Sequence, residues 1–163
     1  MDLPILARLK KELADLKYEL TVQLPKELAT AAAHGDLSEN AEYEAAKNRQ
    51  DFVRSRLAQL ETRIRELSLY TVASIPRGIV AYGSRVKLAD SDSGDEVEYR
   101  IVFPEEVDAA RGHNSLSSPI GRALMSKSEG DEIEVQTPSG RRSYQIIALL
   151  TLHEQGEQPE PAS

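Results

Sequence analysis

The chain has 163 residues, 40% of them hydrophobic, with no cysteine, no tryptophan and a net charge of −7. That length suits one ordinary domain or two small ones. The lack of cysteine excludes a disulfide framework, a thiolate metal site and a cysteine nucleophile. The acidic balance argues against a general nucleic-acid binder, though a local basic patch could still act over about 8–10 Å.

The N-terminal stretch "MDLPILARLKKELADLKYEL" is charged from Arg8 onward and lacks the unbroken apolar core of a signal peptide. No apolar run reaches the about 20 residues that span a bilayer. A soluble, cytoplasmic monomer without a membrane partner is expected. Leu6, Leu9, Leu13, Leu16 and Leu20 recur at spacings of three and four, and Leu24 and Leu28 continue at four. Val53, Leu57, Leu60, Ile64 and Leu67 repeat the pattern downstream. These are the a/d stripes of an antiparallel coiled-coil hairpin over residues 1–75. Pro25 should bend the first arm or leave a carbonyl unpaired.

Between the stripes lies "HGDLSENAEYEAAK", His34 to Lys47, which holds the only glycine before Gly78. Three readings of this segment stand side by side. Asp36 with Glu39 fits a helix-capping box, although Ser38 or Asn40 could cap equally well. The run of Asp36, Glu39, Glu42 and Glu44 exceeds what one helix start requires. Asp36 and Glu39 are also hard oxygen ligands, too few for a closed Ca²⁺ site but suited to Mg²⁺ shared with phosphates or another protein.

The third reading comes from the charges beside the seam. With the bend near residue 35, residue i should lie opposite about 70 − i. On the g side, Glu12 should pair with Arg56 or Arg63, Glu19 with Arg49, and Lys26 with Glu42. On the e side, Lys10 should meet Glu61, while Lys17 faces Arg54 and Lys47 lies across from Leu24. Lys17, Lys47 and Arg54 are thus expected as a positive cluster without acidic partners. Such a strip would suit a phosphate backbone passing toward a metal at the acidic tip.

Eight of the nine glycines and five of the eight prolines follow Arg77, which marks a boundary near "SIPRG". Residues 76–153 then alternate on a period of two. "SRVKLAD", "EVEYRIVF", "DEIEVQT" and "SYQIIALLTL" read as strands, "TPSGRR" as a hairpin turn, and "SSPIGRALMSK" as one short helix capped by Ser117 or Ser118 with Pro119 in its first turn. The fold class is α+β: a helical hairpin followed by an antiparallel sheet with one helix. Residues 154–163 are acidic and proline-containing, and are expected to be disordered.

The nine residues "GDLSENAEY" closely resemble the tip motif of the GreA/GreB transcript cleavage factors of bacterial RNA polymerase. The resemblance extends through "LKKELADLK", "VKLAD…EVEYRIV" and "SLSSPIGRALMSKSEGDEIEVQTPSGRRSYQI", and so covers most of residues 5–152. It implies a coiled coil that enters the polymerase secondary channel and an FKBP-like C-terminal domain that docks at the rim. It also implies that Asp36 and Glu39 help hold a catalytic Mg²⁺, so that the polymerase hydrolyses the 3′ end of backtracked RNA. By the same resemblance Tyr43 is a tip aromatic near the RNA, Lys47 belongs to the basic patch, and Ser117, Ser118 and Pro119 touch polymerase. The family's basic residue two positions before the tip histidine is Ala32 here, which weakens that patch. A channel-occupying inhibitor of the same fold and a non-catalytic coiled-coil adaptor are the alternatives. No nucleophile–base set is visible, so the chain is not expected to be an enzyme in its own right.

Overall fold

The computed structural model describes residues 2–35 and 40–155. The chain divides into two units, Met1–Thr71 and Val72–Ser163. This division falls just ahead of the "SIPRG" shift in composition.

The first unit is built from two helical arms. The first arm comprises α1 (Pro4–Tyr18), a π-helical turn (Glu19–Gln23) and α2 (Leu24–Ala32); the second is α3 (Ala41–Leu67). At 1.5 Å per residue, α3 alone is about 40 Å long. The apolar stripe is the cause of the pairing. Leu24, Val53 and Leu57 form a buried cluster, with Leu13, Leu16 and Leu20 packed against it. Each such side chain contributes roughly 1.5–3 kcal/mol by leaving water.

The π turn answers two sequence problems at once. Pro25 has no N–H to donate to the carbonyl four residues back, and its ring crowds that carbonyl. Leu24 instead donates to the carbonyl of Glu19, five residues back. Repeated four-residue spacings also carry a leucine stripe off a 3.5-residue seam. The wider π turn restores it, and Leu24 is 1% exposed.

The second unit is a five-stranded sheet in the order β3-β2-β1-β5-β4. Its strands are β1 (Arg85–Asp90), β2 (Glu96–Val102), β3 (His113–Ser115), β4 (Glu132–Thr137) and β5 (Gly140–Leu150). The sheet is mixed, which corrects the antiparallel expectation, because β3 pairs parallel to β2. The other three pairings are antiparallel. A three-residue strand carries too little alternation to be read from sequence. The core is Val80, Val86, Leu88, Ile101, Leu124, Ile133, Val135 and Ile146. Leu124 enters it from α4 (Pro119–Leu124). A Cβ on Gly121 would lie 2.1 Å from the Ser115 carbonyl oxygen, so only glycine lets this helix sit so close to the preceding loop.

A second short helix, α5 (Leu152–Gln155), takes Glu154 and Gln155 out of the expected disordered tail. Gln155 is buried, and its Nε2 donates to the carbonyls of Gly83, Leu150 and Thr151. Three hydrogen bonds from one side chain outweigh the polar composition around it. The rest of the expected tail, residues 156–163, lies outside the described residues. No described helix is long and apolar enough to cross a membrane.

Candidate functional site: the hairpin end and its charged edges

The first arm ends in a local turn. His34 N–H donates to the Ala31 carbonyl and Gly35 N–H to that of Ala32, and Gly35 has φ +117°. Backbone in that region favours glycine, because a Cβ would crowd the neighbouring peptide. The second arm is capped by Asn40, whose side-chain oxygen accepts from the N–H groups of Glu42 at 3.0 Å and Tyr43 at 3.1 Å. Its Nδ2 donates to the Ala31 carbonyl at 2.6 Å, so one amide ties the start of α3 to the end of α2. Of the three candidate caps, Asn40 is the N-cap that closes the first turn of α3. Glu42 and Glu44 lie in that first turn, where the helix dipole favours negative charge. Asp36 and Glu39, the candidate catalytic and metal-holding pair, lie outside the described residues, between Gly35 and Asn40 in the chain.

Beside the hairpin end, Lys47 Nζ sits 5.7 Å from the Tyr43 ring centroid, a cation–π contact one turn apart on α3. The two tip residues implied by the resemblance are therefore neighbours in space. Further along α3, Arg54 makes no ion pair among the described residues.

The seam's edges carry very different charge arrangements. On the g side, Arg49 grips Glu19 with two bonds of 2.6 and 2.9 Å, and Arg56 grips Glu12 with two of 2.8 and 3.2 Å. The hydrogen bond from Arg49, together with its charge, holds the Glu19 carboxyl below its ordinary pKa of 4.5. Lys26 and Glu42 make no ion pair with each other among the described residues. Both line an open groove with Thr30, Ala31, Ala45, Ala46 and Arg49. Arg63 bonds Glu66 at 3.1 Å on its own helix.

The e side departs from expectation. Lys17 Nζ lies 4.0 Å from Glu61, and Lys10 lies 3.9 Å from Asp2. Lys17 thus has an acidic partner and does not join a bare cluster; Lys47 and Arg54 remain on that edge. Arg54 and Glu61 stand one heptad apart on α3, so both belong to the edge that Lys17 faces, and its ammonium lies within reach of the glutamate.

In the second unit, Ser118 is the N-cap of α4. Its Oγ accepts from the Gly121 N–H at 3.1 Å and donates to the Ser115 carbonyl at 2.6 Å. The Oγ atoms of Ser117 and Ser115 are 2.7 Å apart. Pro119 is the first helical residue and is exposed. The three residues expected to touch a partner therefore form one ordered turn, with Ser117 and Pro119 facing solvent. Among the described residues, no three His, Cys, Asp or Glu side chains gather closely enough to hold a metal ion.

Residues 5–68 match the family model described as Transcription elongation factor, N-terminal, and residues 75–151 match Transcription elongation factor, GreA/GreB, C-term. Transcription elongation factor GreA of Anaeromyxobacter sp. strain K is 44% identical over 150 residues, 92% of this chain and 90% of that protein. The factor of the same name from Verminephrobacter eiseniae strain EF01-2 is 44% identical over 146 residues, covering 87% of this chain and 90% of its own. The crystal structure of GreA factor homolog 1 of Thermus thermophilus is 27% identical and covers 89% of this chain and 94% of that one, with a TM-score of 0.41.

Proposed function

Because the chain belongs to the GreA/GreB family of transcription elongation factors, we propose that it acts on bacterial RNA polymerase by inserting its hairpin end into the secondary channel. There it stimulates the polymerase's own hydrolysis of the 3′ end of backtracked RNA. One observation carries the reading. The signature "GDLSENAEY" falls at the single break between the two arms, and its Asn40 fastens one arm to the other. Asp36 and Glu39 thereby lie in the chain between two positions, Gly35 and Asn40, that hydrogen bonds hold.

The donor chemistry fits a shared ion. Two carboxylates suit Mg²⁺, which keeps several waters and takes its remaining ligands from phosphates or a second protein. Asp36 and Glu39 would hold it together with groups of the polymerase. A Mg²⁺ bound there supplies Lewis acidity to the scissile phosphodiester. The chain's own part is to bring negative oxygen to that position, to lay the Tyr43 ring and Lys47 ammonium beside the RNA, and to keep the arms together during insertion. Lys47 and Arg54 would face the RNA phosphates along the e side, and the Ser117–Pro119 turn would meet the polymerase surface.

The test is a polymerase complex stalled in a backtracked state, incubated with the protein and Mg²⁺ while RNA length is followed. Release of 3′ fragments is expected. Asp36→Asn and Glu39→Gln should each abolish stimulated cleavage while polymerase binding stays near that of the parent protein. An unchanged cleavage rate in both variants would leave the hairpin an adaptor and remove the catalytic reading.

A further inference from the structure

Phe52 lies on the outer surface of α3 and is 57% exposed, while Val53 next to it in the chain is fully buried in the seam. The buried cluster between the arms does not include the ring. A single exposed hydrophobe is ordinary, but this one is braced. The Arg49 guanidinium carbon sits 5.1 Å from the ring centroid, and Arg49 is itself fixed by two bonds to Glu19 on the first arm. A ring ordered before a partner arrives loses less freedom on binding.

The same arginine lines the groove of about 500 Å³ formed by α2 and α3. Phe52 and the groove therefore share one side of the hairpin. Ala31 and Ala46, both buried, give the groove a floor of small side chains. Its charged lining is Lys26, Arg49, Glu27 and Glu42, two of each sign. An aromatic ring, an arginine and a recess without net charge are the composition of a protein-facing surface. Single-stranded nucleic acid is held differently, by stacking joined to a cationic groove.

We infer that Phe52 and the α2–α3 groove are the face by which the hairpin docks against protein, an apolar projection on the wall of the polymerase channel. The occupant is apolar polypeptide, which covers the ring and enters the groove, while RNA phosphates meet Lys47 and Arg54 on the other edge. This inference rests on the proposed insertion of the hairpin and adds to it the residues that hold the rod in place.

The experiment titrates the full chain onto labelled RNA polymerase that carries no nucleic acid, so that only protein contacts are read. Phe52→Gln should weaken binding about tenfold or more. Phe52→Leu, which keeps an apolar side chain, should bind more tightly than Phe52→Gln. Thr30→Glu, at an exposed position of the groove, should also weaken binding, and it keeps the test open should Phe52→Gln disturb the Arg49–Glu19 pair. Parent affinity in both Phe52→Gln and Thr30→Glu would overturn the inference and leave the insertion standing. Failure of the parent chain to bind at all would overturn both. A loss in Phe52→Gln confined to complexes that carry RNA would assign the ring to a nucleobase and remove the docking face.

Discussion

The two edges of the hairpin are made from the same helices and flank the same leucine seam, yet they are finished differently. The g edge is fastened by two bidentate Arg–Glu pairs that cross between the arms. Among the described residues the e edge shows a cross-arm contact of 4.0 Å, between side chains that are about half exposed, and Lys47 and Arg54 make no ion pair there. A coiled coil needs charge pairs on neither edge to pack its core, so the asymmetry separates two tasks. The g edge fixes register, while the e edge holds the two cations, Lys47 and Arg54, for which contact with RNA phosphates is proposed. Asn40 closes the end that both edges share.

The largest break in this arrangement should come at that shared end. Asn40→Ala removes the acceptor for two N–H groups of α3 and the donor to Ala31. A lost cap costs about 0.5–2 kcal/mol, which urea unfolding of the variant against the parent measures. Transcript cleavage should fall with it, because the tie from Asn40, next in the chain to Glu39, to the first arm is lost. Stability within a few tenths of the parent would mean that the water around the hairpin end replaces the amide fully.

Next in size is a change on the e edge alone. Replacing Lys47 and Arg54 together by alanine should cost no more than about 1 kcal/mol in unfolding, the value of the exposed Lys47–Tyr43 cation–π contact. The salt dependence of stimulated cleavage should flatten by about 0.7 in log–log slope per removed charge, the value for single-stranded nucleic acid. An identical slope would assign both cations to solvent. The g edge offers the converse test. A double-mutant cycle on Glu12 and Arg56 should return a coupling of about 0.5 kcal/mol, and the same cycle on Lys17 and Glu61 close to zero.

Much of this was readable before any coordinates. The leucine stripes, the hairpin, four strands, the "TPSGRR" turn and the Ser118 cap all follow from local patterns, and local patterns are what a sequence displays. The g-side pairs follow from the charge pattern, whereas Lys17 has Arg54 and Glu61 one heptad apart on the facing edge, and only geometry selects the glutamate. The π turn was signalled only indirectly, by Pro25 and by consecutive four-residue spacings. At the hairpin end three residues could have served as cap, and only geometry selects Asn40. The parallel pairing of β3 with β2 was invisible for a stronger reason. It joins a strand three residues long to one earlier in the chain, and no single stretch of chain contains it.

The smallest effect is the most specific to the g edge. Glu19 titrates below its ordinary 4.5 because Arg49 donates two hydrogen bonds to its carboxylate and adds its charge. A carboxyl with a depressed folded-state pKa binds fewer protons folded than unfolded. Its contribution is therefore fully present above about pH 4.5 and disappears as pH falls through the lowered value. Arg49→Met should return Glu19 toward 4.5 and flatten the acid limb of the stability curve. Side-chain carboxyl shifts, followed by ¹³C NMR across the acid range, measure this directly. Asp90 serves as the internal control in the second unit, since its pKa is lowered by the backbone N–H groups of Ser93 and Asp92 and lesser contributions that include Arg142, not Arg49. Asp90 should keep its titration in the variant while Glu19 moves. If both stay where they are, the Glu19–Arg49 pair is not closed in solution, and the contrast between the two edges reduces to Glu12–Arg56 alone.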